Sequence, residues 1–338
     1  MRPVICLLLA VCLLAGATSA REMHSGGHHD GHAPIGVMGD HLHKAGEWMV
    51  SYRFMHMDME GSLKGDNHIN NSEIISSTGE GFMVTPTKMS MDMHMVGLMY
   101  APTNDLNMMV MVPYLSNSMD HRTRMNATFT TGSDGLGDVQ LTALYRLFAR
   151  ERQQVHVNLG IGFPTGSISE KDNTPMGKVR LPYPMQLGSG TYDLLPGVTY
   201  VGQGVGRWSW GSQLSGVVRL QSENDNDYRL GNVVEATGWV AYVLNHAWSA
   251  SLRVDGKAWG DIHGADPELN PNVIPTADPN LRGGKRIDLL AGVNFYPHRG
   301  VFKGHRLGVE AGMPAWQNLD GPQLQTDWTV TAGWQYTF

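Results

Sequence analysis

From residue 47 to the C-terminus the chain is a succession of segments of roughly ten residues whose apolar and polar side chains alternate with period two, the mark of strands with two unlike faces. Twelve such segments can be read: 47–58, 89–101, 105–115, 137–149, 154–163, 192–203, 207–220, 231–244, 247–259, 285–297, 304–312 and 327–338. The connections after the second, fourth, sixth, eighth and tenth segments are short: 102–104, 150–153, 204–206, 245–246 and 298–303. Those after the odd ones are mostly long: 59–88, 116–136, 164–191, 221–230, 260–284 and 313–326. Short turns alternating with long loops between antiparallel strands predict an all-β transmembrane up-and-down β-barrel of about 12 strands over residues 47–338. About 9–11 residues per tilted strand suffice to cross a bilayer. An even count places both ends on the periplasmic side. A soluble sandwich would not sustain this loop alternation across so many two-faced strands.

The last segment shows the pattern most clearly. Trp328, Val330, Ala332, Trp334, Tyr336 and Phe338 share one face, and Thr329, Thr331, Gly333, Gln335 and Thr337 the other. The first set, with aromatics at both ends, reads as a lipid face with interfacial girdles. A terminal Phe is what bacterial barrels commonly present to their assembly machinery, which is therefore an expected partner, as is outer-membrane lipid.

Residues 1–20 read as a signal peptide: Arg2, an apolar core over Val4–Ala15, and small residues ending at Ala20. Cys6 and Cys12 both fall inside it, and neither follows a small residue as lipoprotein processing requires. The mature chain thus has no thiol for a disulfide, metal site or nucleophile. Mean hydropathy is negative and no long apolar run follows residue 20, which excludes a bundle of membrane helices. Lys and Arg (25) are outnumbered by Asp and Glu (31) and form no basic block, so nucleic acid is not an expected partner. Residues 21–46 form a His/Gly-rich N-terminal periplasmic segment with His24, His28, His29, His32, His41 and His43, six of the fifteen histidines. Too short for a plug domain, it is long enough to fold back and occlude the lumen. His41 and His43, beside Asp40, are its candidates for an ordered role, whereas His24–His32 read as a solvated tail or an adventitious metal binder.

Opposite the lipid faces stand Arg53, Asp138, Arg146, Asp193, Arg219, Glu235, Arg253, Asp255, Lys257, Asp288, Arg306 and Glu310. Charge at membrane depth is costly against lipid, so these side chains should line the lumen, as a salt-bridge network bracing the wall or as a lined pathway.

Methionine is the anomaly: 15 of the 21 lie between residues 49 and 125. The alternation turns Met49, Met55 and Met57 inward on the first segment, Met89, Met91, Met93, Met95 and Met99 on the second, and Met109 and Met111 on the third. Thioether sulfur is soft and selects Cu(I), while imidazole suits Cu(II), Ni or Zn. Met55, Met57, Met93, Met95, Met99, Met109 and Met111, with His41, His43 and His94, are therefore candidate metal contacts, with Cu(I) or Cu(II) the cofactor this pattern would hold. The same residues are equally an unbranched, adaptable apolar wall.

Six stretches also carry a family resemblance: Pro34–His41, Met93–Met95 running on through Met99–Pro102, Met111–Tyr114, Gly135–Asp138, Phe163–Gly166 and Tyr192–Gly197. With these the chain resembles the outer-membrane transporters grouped with the meta-pathway of phenol degradation, in a Met-rich branch found near copper-resistance functions. The resemblance spans nearly all of the mature chain. It implies a β-barrel and passive uptake or export, and it brings no ligand residues with it.

Two functions compete: a channel or transporter for small solutes linked to copper through a Met/His-rich inner wall, and a passive channel for small apolar or aromatic compounds with no metal role. An enzyme is not expected, since no nucleophile elbow, phosphate loop or dinucleotide fingerprint occurs and no lipid face carries a Ser/His pair with a third polar partner.

Overall fold

The computed structural model describes residues 33–297 and 299–338. The expected signal peptide and His24, His28, His29 and His32 lie outside the described residues.

Strands form where the alternation places them. They are β1 (Trp48–Gly65), β2 (Asn67–Ile69), β3 (Val84–Tyr100), β4 (Leu106–Thr123), β5 (Thr128–Leu136) and β6 (Val139–Arg150). Then come β7 (Gln153–Phe163), β8 (Lys171–Thr174), β9 (Gly177–Arg180), β10 (Asp193–Gln203), β11 (Trp208–Arg219) and β12 (Tyr228–Arg229). The chain finishes with β13 (Val233–Val243), β14 (Trp248–Trp259), β15 (His263–Gly264), β16 (Gly284–Phe295) and β17 (His305–Thr337). The wall runs β1-β3-β4-β6-β7-β10-β11-β13-β14-β16-β17, antiparallel at every step, and closes through β17 onto β1.

Eleven elements cannot close a ring that is antiparallel at every seam, because an odd count leaves one parallel pair. β17 resolves the parity. Its first limb, Leu307–Leu319, pairs with β16, and its second, Leu319–Thr337, pairs with β1. The limbs face each other: Arg306 Nη1 donates to Gln335 Oε1 at 2.9 Å, Gln317 and Thr326 exchange two bonds at 2.9 Å, and Thr337 N–H donates to the Gly304 carbonyl at 3.0 Å. The 33-residue element is thus a hairpin supplying two walls. Here the structure corrects the sequence reading, which placed a loop at 313–326. β1, β3 and β4 likewise continue well past the lipid belt, and β2 and β5 pair with them there. Beyond the lipid, nothing forces one face of a strand to be apolar, so these ladders leave no alternation to read.

The outward faces carry Val96, Leu98, Leu159, Ile161, Leu214, Val240, Leu252, Val254, Leu289, Val293, Leu307 and Val309, all exposed. Around the end with the short turns, aromatic pairs ring the wall. Trp48 stacks on Tyr100 at 4.4 Å between centroids, Trp208 meets Tyr242 at 4.8 Å, and Trp248 meets Phe295 at 4.9 Å. Phe338 is 61% exposed, and its backbone exchanges hydrogen bonds with Trp48 at 2.9 Å. An apolar band with an aromatic girdle and short turns at one end is the surface a bilayer selects.

Candidate functional site

Residues 33–43 run through the lumen at the short-turn end, and most of them are fully buried. Glycine makes the room. A Cβ on Gly308 would sit 2.8 Å from Ile35 Cβ, and one on Gly333 would sit 2.6 Å from Ile35 Cγ1. On the segment itself, a Cβ on Gly36 would lie 2.2 Å from Glu310 Oε2 and 2.7 Å from Arg253 Nη2, so the backbone crosses directly over that ion pair. Gly39 turns the chain with φ +61°. Val37 packs with Ala33, Val201 and Trp239, and Leu42 packs among Met49, Met99, Met109 and Leu144.

A peptide with no strand partner must satisfy its carbonyls otherwise, and the wall does so with side chains. Arg306 donates to the Ala33 carbonyl, Arg53 to Val37 (3.1 Å) and Gln213 to Met38 (2.9 Å). His156 and Asn158 donate to the Gly39 carbonyl at 2.8 and 3.3 Å. The Asn107 side-chain amide lies against the His43 backbone N–H, and with its O and N exchanged it accepts from that N–H at 2.7 Å. Asp40 ties the segment to itself, accepting from Ala33 N–H at 3.0 Å and pairing with His41 Nδ1 at 2.8 Å.

At the opposite end the long connections fold together as a cap. Tyr183 meets Tyr228 at 4.9 Å, with Leu230, Ile262 and Leu269 around them. Arg180 binds Glu268 at 2.5 Å and lies 3.6 Å from Asp266. Ile69, Phe82 and Ile74, the last on a short helix (Asn71–Ile74), pack against Leu281.

Between plug and cap lies a cavity of about 450 Å³. Met57, Met91, Leu230, Val233, Trp259, Ile262, Tyr183 and Pro184 give it an apolar lining, and Arg219, Lys257, Arg282 and Arg286 also face it.

The candidate residues from the sequence divide accordingly. The inward methionines stack in cross-strand rows: Met49/Met99/Met109, then Met111 opposite Gly97, Met95 opposite Arg53, Met55/Met93, Met57/Met91 and Met59/Met89/Met119. The uppermost row packs with Leu181 and Met185 under the cap. His94 does not join them. It pairs with Phe54 and Tyr114, and its Nδ1 lies 2.7 Å from Tyr52 Oη on the outer face. β3 turns its odd positions inward, so an even-numbered histidine cannot share the methionine face. His41 and His43 sit 4.9 Å apart, flanking Leu42 beside the lowest methionine row.

Among the charges, Arg253 forks onto Glu310 with two 2.9 Å bonds and reaches Asp255 at 3.3 Å. Arg219 pairs with Asp193, Arg286 with Asp288 at 2.9 Å, and Glu235 stands opposite Lys257 in register. Arg146 stands 3.5 Å from Asp105 at a short turn. Asp138 lines no pathway, because its carboxylate accepts from the backbone of Gly166 (2.9 Å) and Ser189 (2.7 Å) and anchors a cap loop. Arg53 and Arg306 hold the plug. Arg286, absent from the candidates, shares the inward parity of Asp288 and was legible by the same rule. Arg282 and Tyr183 lie in loops, where no periodicity points to them.

Among the described residues one carboxylate group, Asp58, Glu60 and Asp327, has oxygens within 4.8 Å of one another. Lys88 already reaches Asp58 and Glu60 at 3.3 and 3.4 Å.

A closed antiparallel wall, a lipid belt with its girdle and a charged lumen define an integral β-barrel of the bacterial outer membrane. A family model described as "Putative MetA-pathway of phenol degradation" matches residues 76–268, more than half of the chain, and the chain belongs to that family. No curated protein matches the sequence. Among solved structures, an outer-membrane channel from Pseudomonas putida F1 is similar over 90% of this chain and 100% of its own, with TM-score 0.61 and 12% identity. The transport unit of the autotransporter AIDA-I from Escherichia coli gives TM-score 0.49 at 10% identity, covering 90% and 94%. A Pseudomonas aeruginosa FadL homologue gives TM-score 0.42 at 9% identity, covering 86% and 89%. At these identities the first likeness speaks for the fold.

Proposed function

We propose that the protein is a passive outer-membrane channel for small solutes, with the lumen as its path and the structure a shut state closed by the plug at one end and the cap at the other. The observation that carries this reading is the space between them, lined by residues of strands from opposite sides of the barrel. The plug is held by side-chain bonds to single carbonyls, not by a strand ladder, so it can leave without unfolding the wall. Conductance of the purified protein in planar bilayers is the test. Ile35→Asp puts a carboxylate where Gly308 and Gly333 leave a dry slot, and should raise the open fraction at least tenfold. A barrel that never conducts, with or without this substitution, would refute the channel.

A second reading, copper handling, is favoured by the thioether rows and by two imidazoles placed beside the lowest of them. The cationic lining of the chamber, with Arg282 lacking a counter-charge, opposes a bare Cu(I) as through traffic, so this reading concerns binding at the wall. Replacing Met55, Met57, Met95, Met99, Met109 and Met111 by Leu keeps volume at under about 1.5 kcal/mol per swap and removes every sulfur lone pair. With His24, His28, His29 and His32 changed to Asn in both proteins, Cu(I) affinity should drop on the six substitutions. Unchanged affinity would leave the methionines as packing alone.

A further inference from the structure

Of the groups around the central cavity, its charged ones are the least expected. Four cationic side chains line it, and no carboxylate stands among the lining residues. Three of the four have counter-charges set back in the wall: Arg219 has Asp193, Arg286 has Asp288, and Lys257 has Glu235 opposite it in register. Among the described residues Arg282 has none within ion-pair distance. The neighbouring Asp261 spends Oδ1 on the backbone N–H groups of Arg282 (3.0 Å) and Gly283 (2.6 Å). Arg282 Nη1 is shut off from solvent and makes no hydrogen bond. Its carbonyl is fixed by Trp259 Nε1 at 2.8 Å, so the residue is held at the edge of the chamber and not loose in a loop.

A donor left without an acceptor away from water is destabilising, and more so when it is charged. Arg282 itself is only partly covered and lines the chamber, so a guanidinium without a counter-charge, beside three further cations and facing an apolar lining, is matched by a ligand that brings a carboxylate and an apolar body together. The remaining lining sets the body. Trp259, Tyr183, Met57, Met91, Leu230 and Ile262 offer flat and polarisable contacts. A cavity of about 450 Å³ lies within the size range of small-molecule sites.

We propose that the chamber is a binding site for a small aromatic carboxylate, with Arg282 and Lys257 receiving the anion and the Trp259/Met57/Met91 surface receiving the ring. This rests on the channel reading and deepens it: the site selects, among small solutes, those that are aromatic and anionic. A bidentate guanidinium–carboxylate contact supplies direction as well as charge.

The test uses the full-length protein and two matched probes, benzoate and the neutral benzamide. Equilibrium binding is measured by calorimetry in detergent, and salt conductance is recorded in parallel in bilayers. Benzoate should bind at least tenfold more tightly than benzamide. Arg282→Gln should erase most of that preference, and Lys257→Gln should reduce it. The second variant keeps the proposal testable if the first disturbs the cap, and circular dichroism of each variant confirms an intact barrel. Equal binding of the two probes, or an unchanged preference in both folded variants, overturns the site. Loss of the site with conductance intact leaves the channel standing, whereas benzoate binding by a protein that never conducts refutes the channel and keeps the site.

Discussion

At the scale of single residues, the plug depends on contacts that admit little variation. Gly36 passes over the Arg253–Glu310 pair with no space for a Cβ. Gly36→Leu should therefore cost seating about 1–3 kcal/mol or more by overpacking, seen as a several-fold rise in open probability with the thermal stability of the barrel nearly unchanged. The pair beneath it behaves differently. Glu310 is 1% exposed, so Arg253→Met strands a buried carboxylate and should cost about 3–5 kcal/mol. The double variant Arg253→Met/Glu310→Leu should recover most of that in a denaturation series. A double variant no more stable than the single one would show that the pair is not the coupled unit described. His43 gives the plug a pH dependence. Burial pushes its pKa below 6.5, opposed by Glu47, whose carboxylate lies 3.5 Å from Nδ1. A released His43 accepts a proton near pH 6.5 that the seated one resists, so seating weakens as pH falls below about 6.5. Glu47, itself held below 4.5, adds its own loss only in more acidic solution. Conductance should rise between about pH 7.5 and about pH 5.5, and His43→Gln should flatten that rise; a wild-type channel indifferent to this change would remove the imidazole from the gate.

At the scale of elements, each strand's register is set by which face meets lipid, and slipping by one residue would turn the whole apolar set inward. The second limb of β17 shows this well, with Tyr336 stacked on His305 at 4.3 Å and on Phe338 at 5.5 Å along the outer rim. Tyr336→Asp, or removal of Phe338, should lower the amount of protein recovered in the outer membrane several-fold while the inserted fraction keeps wild-type conductance. Equal recovery would deny the terminal aromatics a part in assembly. The elements also mark how far sequence reading reaches. All twelve walls can be found from alternation because the bilayer imposes it over its thickness. The outer stretches of β1, β3, β4 and the β17 hairpin were missed because their outward faces meet water and their buried faces mix polar side chains such as Ser62, Thr85, Asn117, His121 and Gln323 with the apolar ones, so no apolar/polar alternation marks them. His94 shows the same logic at one position: a parity rule that sorted the methionines correctly also excludes this histidine from their face.

At the scale of the whole molecule, the dominant feature is what fills the two mouths of the barrel: residues 33–43 at the short-turn end and the packed long connections at the other. Protease added to intact cells should cut within 164–192, 220–232 or 260–283 and leave the short turn at Asn245-His246 untouched until the outer membrane is permeabilised. Early cleavage there would invert the topology. What the sequence determined by itself was everything a bilayer selects locally: the number of walls, their lipid faces, the girdle, the inward methionines and most of the inward charges. Each of those needs only a residue and its neighbours two positions away. Tertiary structure alone decided that 33–43 threads the lumen, that Asp138 serves a loop, and that Arg282 comes to stand beside Met57 and Lys257 in one chamber. Those arrangements join positions separated by many tens of residues, and no periodicity along the chain records which loop folds over which mouth.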